Sequence, residues 1–238
     1  RLCGGEQASE NQFPWQVGLL RKIHGEFEHI GGDVIISDRW ILSAAHVFHG
    51  KVSEYKGIIG SLNISNPVVT VNFKKLIKHR NFDSRTYEND IALLRTTKAM
   101  ELYPKQKHSN SVCLTRSYRH LKGKILVSGW GEISDEGDFS HHLMYGDLDL
   151  LNDKPCEKNY EFYNRTLMVC IGELSGAKDS CFGDSGGPAV ANRTNRYFLI
   201  GIVSFGKRSG CDIPGVPGVY TRVTHYIKWI EEKTKLRF

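Results

Sequence analysis

Short apolar segments, separated by turn residues and charged clusters, recur along most of the chain. Helical spacing is found only in the tail, where Tyr226, Ile227 and Ile230 lie on one face and Thr224 is a candidate N-cap. Short runs of this kind are typical of an all-β sandwich or barrel, so the pattern predicts strands followed by one terminal helix. The segments richest in β-branched residues are Trp15–Leu20, Asp33–Ile36, Lys56–Gly60, Pro67–Val71, Ile91–Leu94, Lys124–Val127 and Phe198–Val203.

A polar stretch at 104–111 interrupts this pattern near the middle of the chain. It predicts a surface connection between two halves of similar size. With 238 residues the chain is long enough for one large core or two small ones, and 40% hydrophobic residues exclude a disordered chain. The net charge of +6 favours an ordinary basic surface over nucleic-acid binding.

The cysteines and the glycosylation sequons point outside the cell. No apolar run reaches the roughly eighteen residues of a membrane span, and no apolar leader precedes Arg1, so we expect no membrane span and a processed or trimmed start. Six cysteines, an even number, favour oxidised pairs. Sequons at Asn63, Asn164 and Asn192 favour N-glycosylation. Together these features predict a secreted, extracellular glycoprotein.

The strongest chemical signal lies in the segment Asp179–Pro188, where Ser185 stands among glycines. A tight glycine-rich turn lets backbone N–H groups converge on a developing negative charge, as an oxyanion hole requires. Ser185 is therefore a candidate nucleophile, and the backbone N–H groups of Gly183 and Ser185 are candidate oxyanion donors. A glycine-rich surface loop with a solvated serine is the alternative.

A serine nucleophile needs a base and an acid that orients the base. His46 follows the apolar run that begins at Trp40 and is the candidate base. Asp90 directly precedes the apolar strand Ile91–Leu94, so its carboxylate should be buried and needs a partner. A histidine N–H is a suitable partner, because it fixes the tautomer whose other nitrogen accepts the Ser185 proton. Taken singly, a structural His46 and an Asp90 that caps a strand are the alternatives.

In the order His46, Asp90, Ser185, and in the motifs around them, the chain resembles the trypsin/chymotrypsin family of serine endopeptidases. The resemblance implies two packed six-stranded antiparallel β-barrels with the triad in the cleft between them. It further implies a single peptidase domain over 1–238, with barrels at 14–110 and 120–222 and a C-terminal helix at 223–238. The motifs that carry the resemblance are Leu2–Gly5, Phe13–Val17, Leu42–His46, Asp90–Leu94, Val127–Gly131, Gly183–Pro188 and Pro217–Val223.

The resemblance also implies substrate specificity. Asp179 stands where family members place the acid at the floor of the S1 pocket, which selects Arg or Lys. Phe182 is either an aromatic lid at the pocket entrance or an exposed side chain of no consequence. The implied activity is acyl-enzyme hydrolysis after Arg or Lys, with limited specificity in a proteolytic cascade. The other implied substrate-binding residues are Ser180, Ser204, Phe205, Gly206 and Gly218.

Activation is implied in the same way. A cut after Arg1 would free the Leu2 ammonium to pair with Asp184 and so form the oxyanion hole and S1 pocket. With Arg1 attached, the chain is zymogen-like. No cofactor is implied, and no metal, because residues 61–73 contain no Asp or Glu for calcium.

Protein substrates and protein inhibitors such as serpins are the implied partners. A basic run is either a solvated face or an exosite for an acidic or glycosaminoglycan partner; it comprises Lys74, Lys75, Lys78 and Arg80. The alternative function is a catalytically silent binding module or regulator on the same fold. All three triad residues are present, which favours the enzyme.

The disulfides implied by the resemblance are Cys156–Cys170 and Cys181–Cys211. Two further family bridges are missing as complete pairs, a feature that resembles complement-type modular proteases. Cys3 and Cys113 either pair with each other, or Cys113 has lost a partner outside this chain. The residues at the two missing bridges are Ile30 with Val47, and Ile125 with Ala191.

Overall fold

The computed structural model describes residues 4–118, 123–132, 139–176, 180–207 and 213–238. Within them the regular structure is mostly strand, with two short α-helices, α1 (Lys154–Asn159) and α2 (Ile227–Thr234). The strands are β1 (Glu6–Gln7), β2 (Gln16–Ile23), β3 (Glu26–Ile35), β4 (Trp40–Ser43), β5 (Tyr55–Ile59), β6 (Val69–Lys78), β7 (Ala92–Thr96), β8 (Ile125–Gly129), β9 (Met144–Leu150), β10 (Met168–Gly172), β11 (Pro188–Arg193), β12 (Arg196–Phe205) and β13 (Gly218–Arg222).

Strands β2 to β7 close into a barrel in the order β2-β3-β4-β7-β6-β5, and every neighbouring pair is antiparallel. Alternate side chains of each strand point to opposite faces, so the apolar positions of these short runs converge inside. Val17, Leu19, Ile35, Ile41 and Leu94 are fully buried there and form one core.

The second barrel runs β8-β9-β10-β13-β12-β11 and closes where β11 pairs with β8. The short β1 adds to it by pairing with β9. Ile125 and Ala191 lie directly opposite each other on β8 and β11 and are both buried in the core of this barrel. An apolar cross-strand contact therefore stands where the resemblance implied a missing bridge.

A third apolar cluster joins the two barrels and includes Trp15, Leu42, Ile91, Trp130 and Val190. The predicted all-β fold with two closed six-stranded barrels is confirmed. The polar stretch at 104–111 lies between β7 and β8, the last strand of the first barrel and the first strand of the second. No helix in the described part of the chain has the length and apolar character that a bilayer crossing requires.

The structure corrects the helix predictions. Helix α1 was not predicted, because six residues are too few to show a helical period; Pro155 lies in its first turn and a disulfide anchors it at Cys156. Thr224 does not cap the terminal helix. It lies inside a 3₁₀ turn, Val223–Tyr226, that leads into α2 without a side-chain cap.

The cysteines follow the implied pattern in part. The disulfide Cys156–Cys170 is confirmed. Cys181 is also disulfide-bonded, whereas its expected partner Cys211 lies outside the described residues. Cys113 carries a free, half-buried thiol, which contradicts a disulfide with Cys3. Cys3 itself is outside the described residues.

Candidate active site

The first barrel supplies the candidate base and its acid. His46 lies in a 3₁₀ turn, Ala45–Val47, that follows β4, and Asp90 lies just before β7. The Nδ1 atom of His46 is 2.7 Å from Oδ2 of Asp90, and the backbone N–H of His46 donates to Oδ1 at 2.8 Å. The Asp90 side chain is fully buried, while 18% of the His46 side chain is exposed. This pairing leaves Nε2 as the ring nitrogen available to accept a proton.

The second barrel holds Asp90 from the other side. The Ser204 hydroxyl on β12 donates to Oδ2 of Asp90 at 2.6 Å. The Thr221 hydroxyl on β13 donates to the Asp90 backbone carbonyl, also at 2.6 Å. Sequence reasoning placed Ser204 only in the wall of the S1 pocket and missed Thr221. Asp90 is therefore a buried carboxylate whose hydrogen bonds come from both barrels, as a buried charge requires.

The candidate nucleophile lies in the loop before β11, and Ser185 lines the same cleft as His46. The loop is fixed to both barrels, because Gly32 N–H donates to the Ser185 carbonyl and Gly186 N–H to the Val203 carbonyl, each at 2.9 Å. Gly183 has φ +86°, and a Cβ added there would lie 2.6 Å from the Phe139 ring. Only glycine fits this turn, because a side chain would be strained at this φ and would clash with the Phe139 ring.

Asp184, between the two candidate oxyanion donors, points away from the cleft into the protein. It is fully buried, and its carboxylate accepts hydrogen bonds from Gly131 N–H at 2.9 Å and Cys181 N–H at 3.0 Å. Burial raises its pKa, and the two N–H donors oppose that shift. A cation beside this carboxylate would remove most of the cost of burying it.

Two more ionisable side chains, the half-buried His29 and the fully buried Asp33, lie behind the nucleophile loop, and sequence reasoning singled out neither. Both ring nitrogens of His29 on β3 are buried, and they have no hydrogen-bond partner within the described residues. Burial lowers the pKa of His29 to about 4, with a small opposing effect of the Gly31 backbone. The His29 ring contacts the rings of Trp130 and Phe139, with centroids 6.2 and 6.3 Å away.

Asp33, four residues further along β3, is fully buried. Burial raises its pKa well above the usual range, and the facing Ser43 hydroxyl offsets this only in part. Neither Asp33 oxygen reaches hydrogen-bond geometry within the described residues. The Ser43 hydroxyl in turn is 2.6 Å from the position of a Cβ at Gly186. A buried acid with a raised pKa therefore lies behind the loop that carries the candidate nucleophile.

A cleft of about 560 Å³ extends from His46 and Ser185. The Tyr220 hydroxyl donates to the Ser180 hydroxyl at 2.9 Å on one side of it. Phe182 lines the cleft and is 49% exposed, which fits both interpretations of this residue. The structure brings together there the described substrate-binding candidates, namely Ser180, Phe182, Ser204, Phe205, Gly206 and Gly218.

Aromatic rings from both barrels line another part of the cleft, and sequence reasoning missed most of them. Tyr87 lies between His46 and Phe205, with ring centroids 5.3 and 5.2 Å away. Tyr160 contacts Phe205 edge to face at 5.5 Å, and the exposed Phe162 lies at the outer rim. Only the position of Tyr87, three residues before Asp90, hinted at this in the sequence.

Several predicted site residues lie outside the described residues: Arg1, Leu2, Cys3, Asp179 and Cys211. No group of three or more His, Cys, Asp or Glu side chains arranged to hold a metal is present among the residues that are described. In the predicted basic run, Lys74, Lys75 and Arg80 are exposed. Lys78 is exposed as well, but its ammonium donates to the Phe48 carbonyl, and partial burial lowers its pKa.

The three sequons differ in their surroundings. Asn192 is exposed near the end of β11. Asn63 is half-buried and accepts a hydrogen bond from the Ser65 N–H. Asn164 is half-buried beside the cleft, and its Nδ2 atom donates to Oε1 of Glu88 at 2.8 Å. Whether glycans occupy these sites stays a prediction.

Comparison with known proteins places this geometry in one family. The family model described as Trypsin matches residues 2–230. The chain is 35% identical to "Transmembrane protease serine 11C" of Mus musculus over 99% of its length, covering 54% of that protein. It is 31% identical to "Transmembrane protease serine 11G" of Rattus norvegicus, again over 99% of its length, covering 56% of that protein. The chain thus spans about half the length of the curated relatives that it matches.

Proposed function

Because the chain belongs to the trypsin family of serine endopeptidases, we propose that it hydrolyses protein substrates after Arg or Lys through an acyl-enzyme. The observation that carries the proposal is the buried Asp90, which is hydrogen-bonded to His46 while His46 and Ser185 face one cleft. A histidine held in one tautomer by a buried carboxylate, beside a serine, is the arrangement that activates a hydroxyl nucleophile.

Each residue has a defined step in the proposed reaction. Nε2 of His46 takes the Ser185 hydroxyl proton as Oγ attacks the substrate carbonyl, and Asp90 stabilises the imidazolium that forms. The backbone N–H groups of Gly183 and Ser185 stabilise the oxyanion. His46 then protonates the leaving amine, and a water molecule, activated by the same histidine, releases the acyl group from Ser185.

Specificity for Arg or Lys rests on Asp179, as the resemblance implies. The described part of the cleft supports a pocket for a long side chain: Gly206 and Gly218 line it, and a Cβ at Gly206 would meet no atom within 4 Å. The Ser180 hydroxyl adds an acceptor beside Asp179 in sequence. A guanidinium or ammonium group would compensate a carboxylate at the base of such a pocket.

Activation by cleavage after Arg1 is part of the proposal. The buried Asp184 has two N–H donors, and a third, charged partner is what its environment favours. The Leu2 ammonium is that partner in the proposal. N-terminal sequencing checks this step: fully active material that still begins at Arg1 contradicts it.

The proposed setting is extracellular, with limited specificity in a proteolytic cascade and control by protein inhibitors such as serpins. The Cys156–Cys170 disulfide and the sequons support an oxidising compartment. A panel of peptide substrates separates limited from broad specificity.

The decisive experiment uses a fluorogenic arginine peptide before and after controlled cleavage at Arg1. We expect hydrolysis to appear on cleavage, and an Ser185→Ala variant to fold, be cleaved and remain inactive. Asp179→Gly is the specificity control, and it should lose arginine turnover while it retains reaction of Ser185 with a phosphonyl fluoride. If neither the wild type nor the Ser185→Ala variant hydrolyses the peptide after cleavage, a binding module on this fold is favoured.

A further inference from the structure

The loop that delivers Asp90 to the active site is strained. Tyr87 and Asn89 have φ +58° and +56°. Asparagine tolerates this left-handed conformation, but a bulky tyrosine in it is an outlier that the surroundings must hold in place. The loop places Tyr87 against His46 and Phe205, so the strain is stored where the substrate would lie.

Contacts from the first barrel hold the start and end of this loop. Tyr87 N–H donates to the Asp83 carbonyl at 2.8 Å, and Asp83 N–H donates to the Glu88 carbonyl at 3.1 Å. Asn89 Nδ2 donates to the Asn81 carbonyl at 3.0 Å. None of these contacts reaches across to the other wall of the cleft.

The Asn89 end of the loop is also held by the Tyr226 hydroxyl, which donates to Oδ1 of Asn89 at 3.2 Å. A contact from the second barrel supports the end that carries Tyr87. Asn164 Nδ2 donates to Oε1 of Glu88 at 2.8 Å, and both residues are half-buried. The same amide accepts the Thr166 N–H on its oxygen at 3.0 Å, so a single orientation of the amide satisfies both bonds. Asn164 lies within the loop that the Cys156–Cys170 disulfide closes, which makes it a fixed point.

We infer that the Glu88–Asn164 hydrogen bond is a cross-cleft tether that positions Tyr87 and so sets which residues the enzyme accepts upstream of the scissile arginine. Glu88 and Asn164 are positioning residues, since neither lines the cleft. The inference rests on the proposed function. Without the tether, the strained turn relaxes and Tyr87 loses its place between His46 and Phe205, while Asp90 keeps its own bonds to His46, Ser204 and Thr221.

Loss of the tether should therefore impair cleavage of extended peptides more than hydrolysis of small esters. A simple arginine ester occupies the S1 pocket and Ser185 but does not extend to Tyr87. A peptide with bulky residues before the arginine does. The readout is therefore the ratio of kcat/KM for such a peptide to kcat/KM for the ester, which a general loss of folding or of the triad does not change.

The test exchanges the hydrogen-bond acceptor at Glu88 and the donor at Asn164. It uses enzyme that has been cleaved after Arg1 and produced without glycosylation. Glu88→Gln alone keeps an acceptor oxygen and should stay within about twofold of wild type. Asn164→Asp alone sets two carboxylates against each other and should lower the ratio at least about tenfold, as expected for losing a hydrogen bond to a charged group. The two changes together restore a bond, because the new amide donates to the new carboxylate, and should recover the ratio.

Thr166→Ala is the matched control, since it removes the sequon but keeps Asn164 and the backbone bond; it should match wild type. The inference is overturned if Asn164→Asp leaves the ratio unchanged, if the double variant does not recover, or if Thr166→Ala reproduces the loss. Wild-type enzyme that cleaves neither ester nor peptide overturns the proposed function as well. If the wild-type enzyme cleaves both ester and peptide and the variants keep the wild-type ratio, only the tether is overturned.

Discussion

Protonation of His29 is expected to limit stability in acid. The folded chain lowers the pKa of this imidazole from 6.5 to about 4, so below pH 6.5 the unfolded chain binds the proton more strongly. The contribution is fully present above pH 6.5 and is lost as the pH falls toward 4. A difference of 2.5 pKa units corresponds to up to about 3 kcal/mol of unfolding free energy, at about 1.4 kcal/mol per unit.

The perturbation is His29→Phe, which keeps an aromatic ring beside Trp130 and Phe139 but cannot titrate. Urea unfolding, followed by tryptophan fluorescence in a Ser185→Ala background to prevent autolysis, gives the unfolding free energy from pH 7.5 to pH 4. Wild type should lose up to about 3 kcal/mol more than the variant over this range. Only the pH dependence is compared, so any change in packing cancels.

His24→Asn serves as the control, because His24 is exposed in the turn between β2 and β3. Its unfolding free energy should follow the wild-type pH dependence. Parallel curves for wild type and His29→Phe would refute the reasoning, since they would mean that the buried imidazole does not change its proton affinity on folding.

Three other predictions follow from single contacts. The raised pKa of Asp33 means that wild type loses stability as the pH rises above 4. Asp33→Asn should therefore gain unfolding free energy relative to wild type over that range, by at most about 1.4 kcal/mol per pH unit. Urea titrations at several pH values measure this difference. Gly183→Ala should lower kcat at least about tenfold, because its Cβ would meet Phe139 and displace an oxyanion donor, and an unchanged kcat would count against that role. Ser204→Ala should reduce kcat/KM by the equivalent of about 1.5–3 kcal/mol, because the buried Asp90 loses a donor; an effect on KM alone would argue for a role in substrate binding only.

The apolar pattern predicted only some of the strands: it missed β10, although all five of its residues are buried, and it missed β9, which contains acids. Strand β9 was not among the predicted segments, because Asp147 and Asp149 lower its β propensity. In the structure Gly146 and Leu148 are buried, whereas Asp147 and Asp149 are only half-buried, so the alternation fits one face of a barrel strand. Burial on one face decided the structure there.

The candidate site could be predicted in its types of residue but not in its supports. Motifs around His46, Asp90 and Ser185 indicated a triad, because chemistry restricts which residues can fill those roles. Nothing local marks Thr221 as a partner of the Asp90 carbonyl, 131 residues away. Such contacts depend on how two barrels pack, which no single segment encodes.

Because both barrels contribute hydrogen bonds to Asp90, the active site depends on how the two barrels dock. One barrel contributes Asp90 and His46, and the other contributes the Ser204 and Thr221 hydroxyls that bind Asp90. Sliding the barrels apart by the length of a single hydrogen bond would disconnect the triad while the strand ladders of both barrels remain intact. Catalytic activity would then report whether the two barrels are docked. As the urea concentration rises, hydrolysis should be lost before the far-ultraviolet circular dichroism of the strands changes.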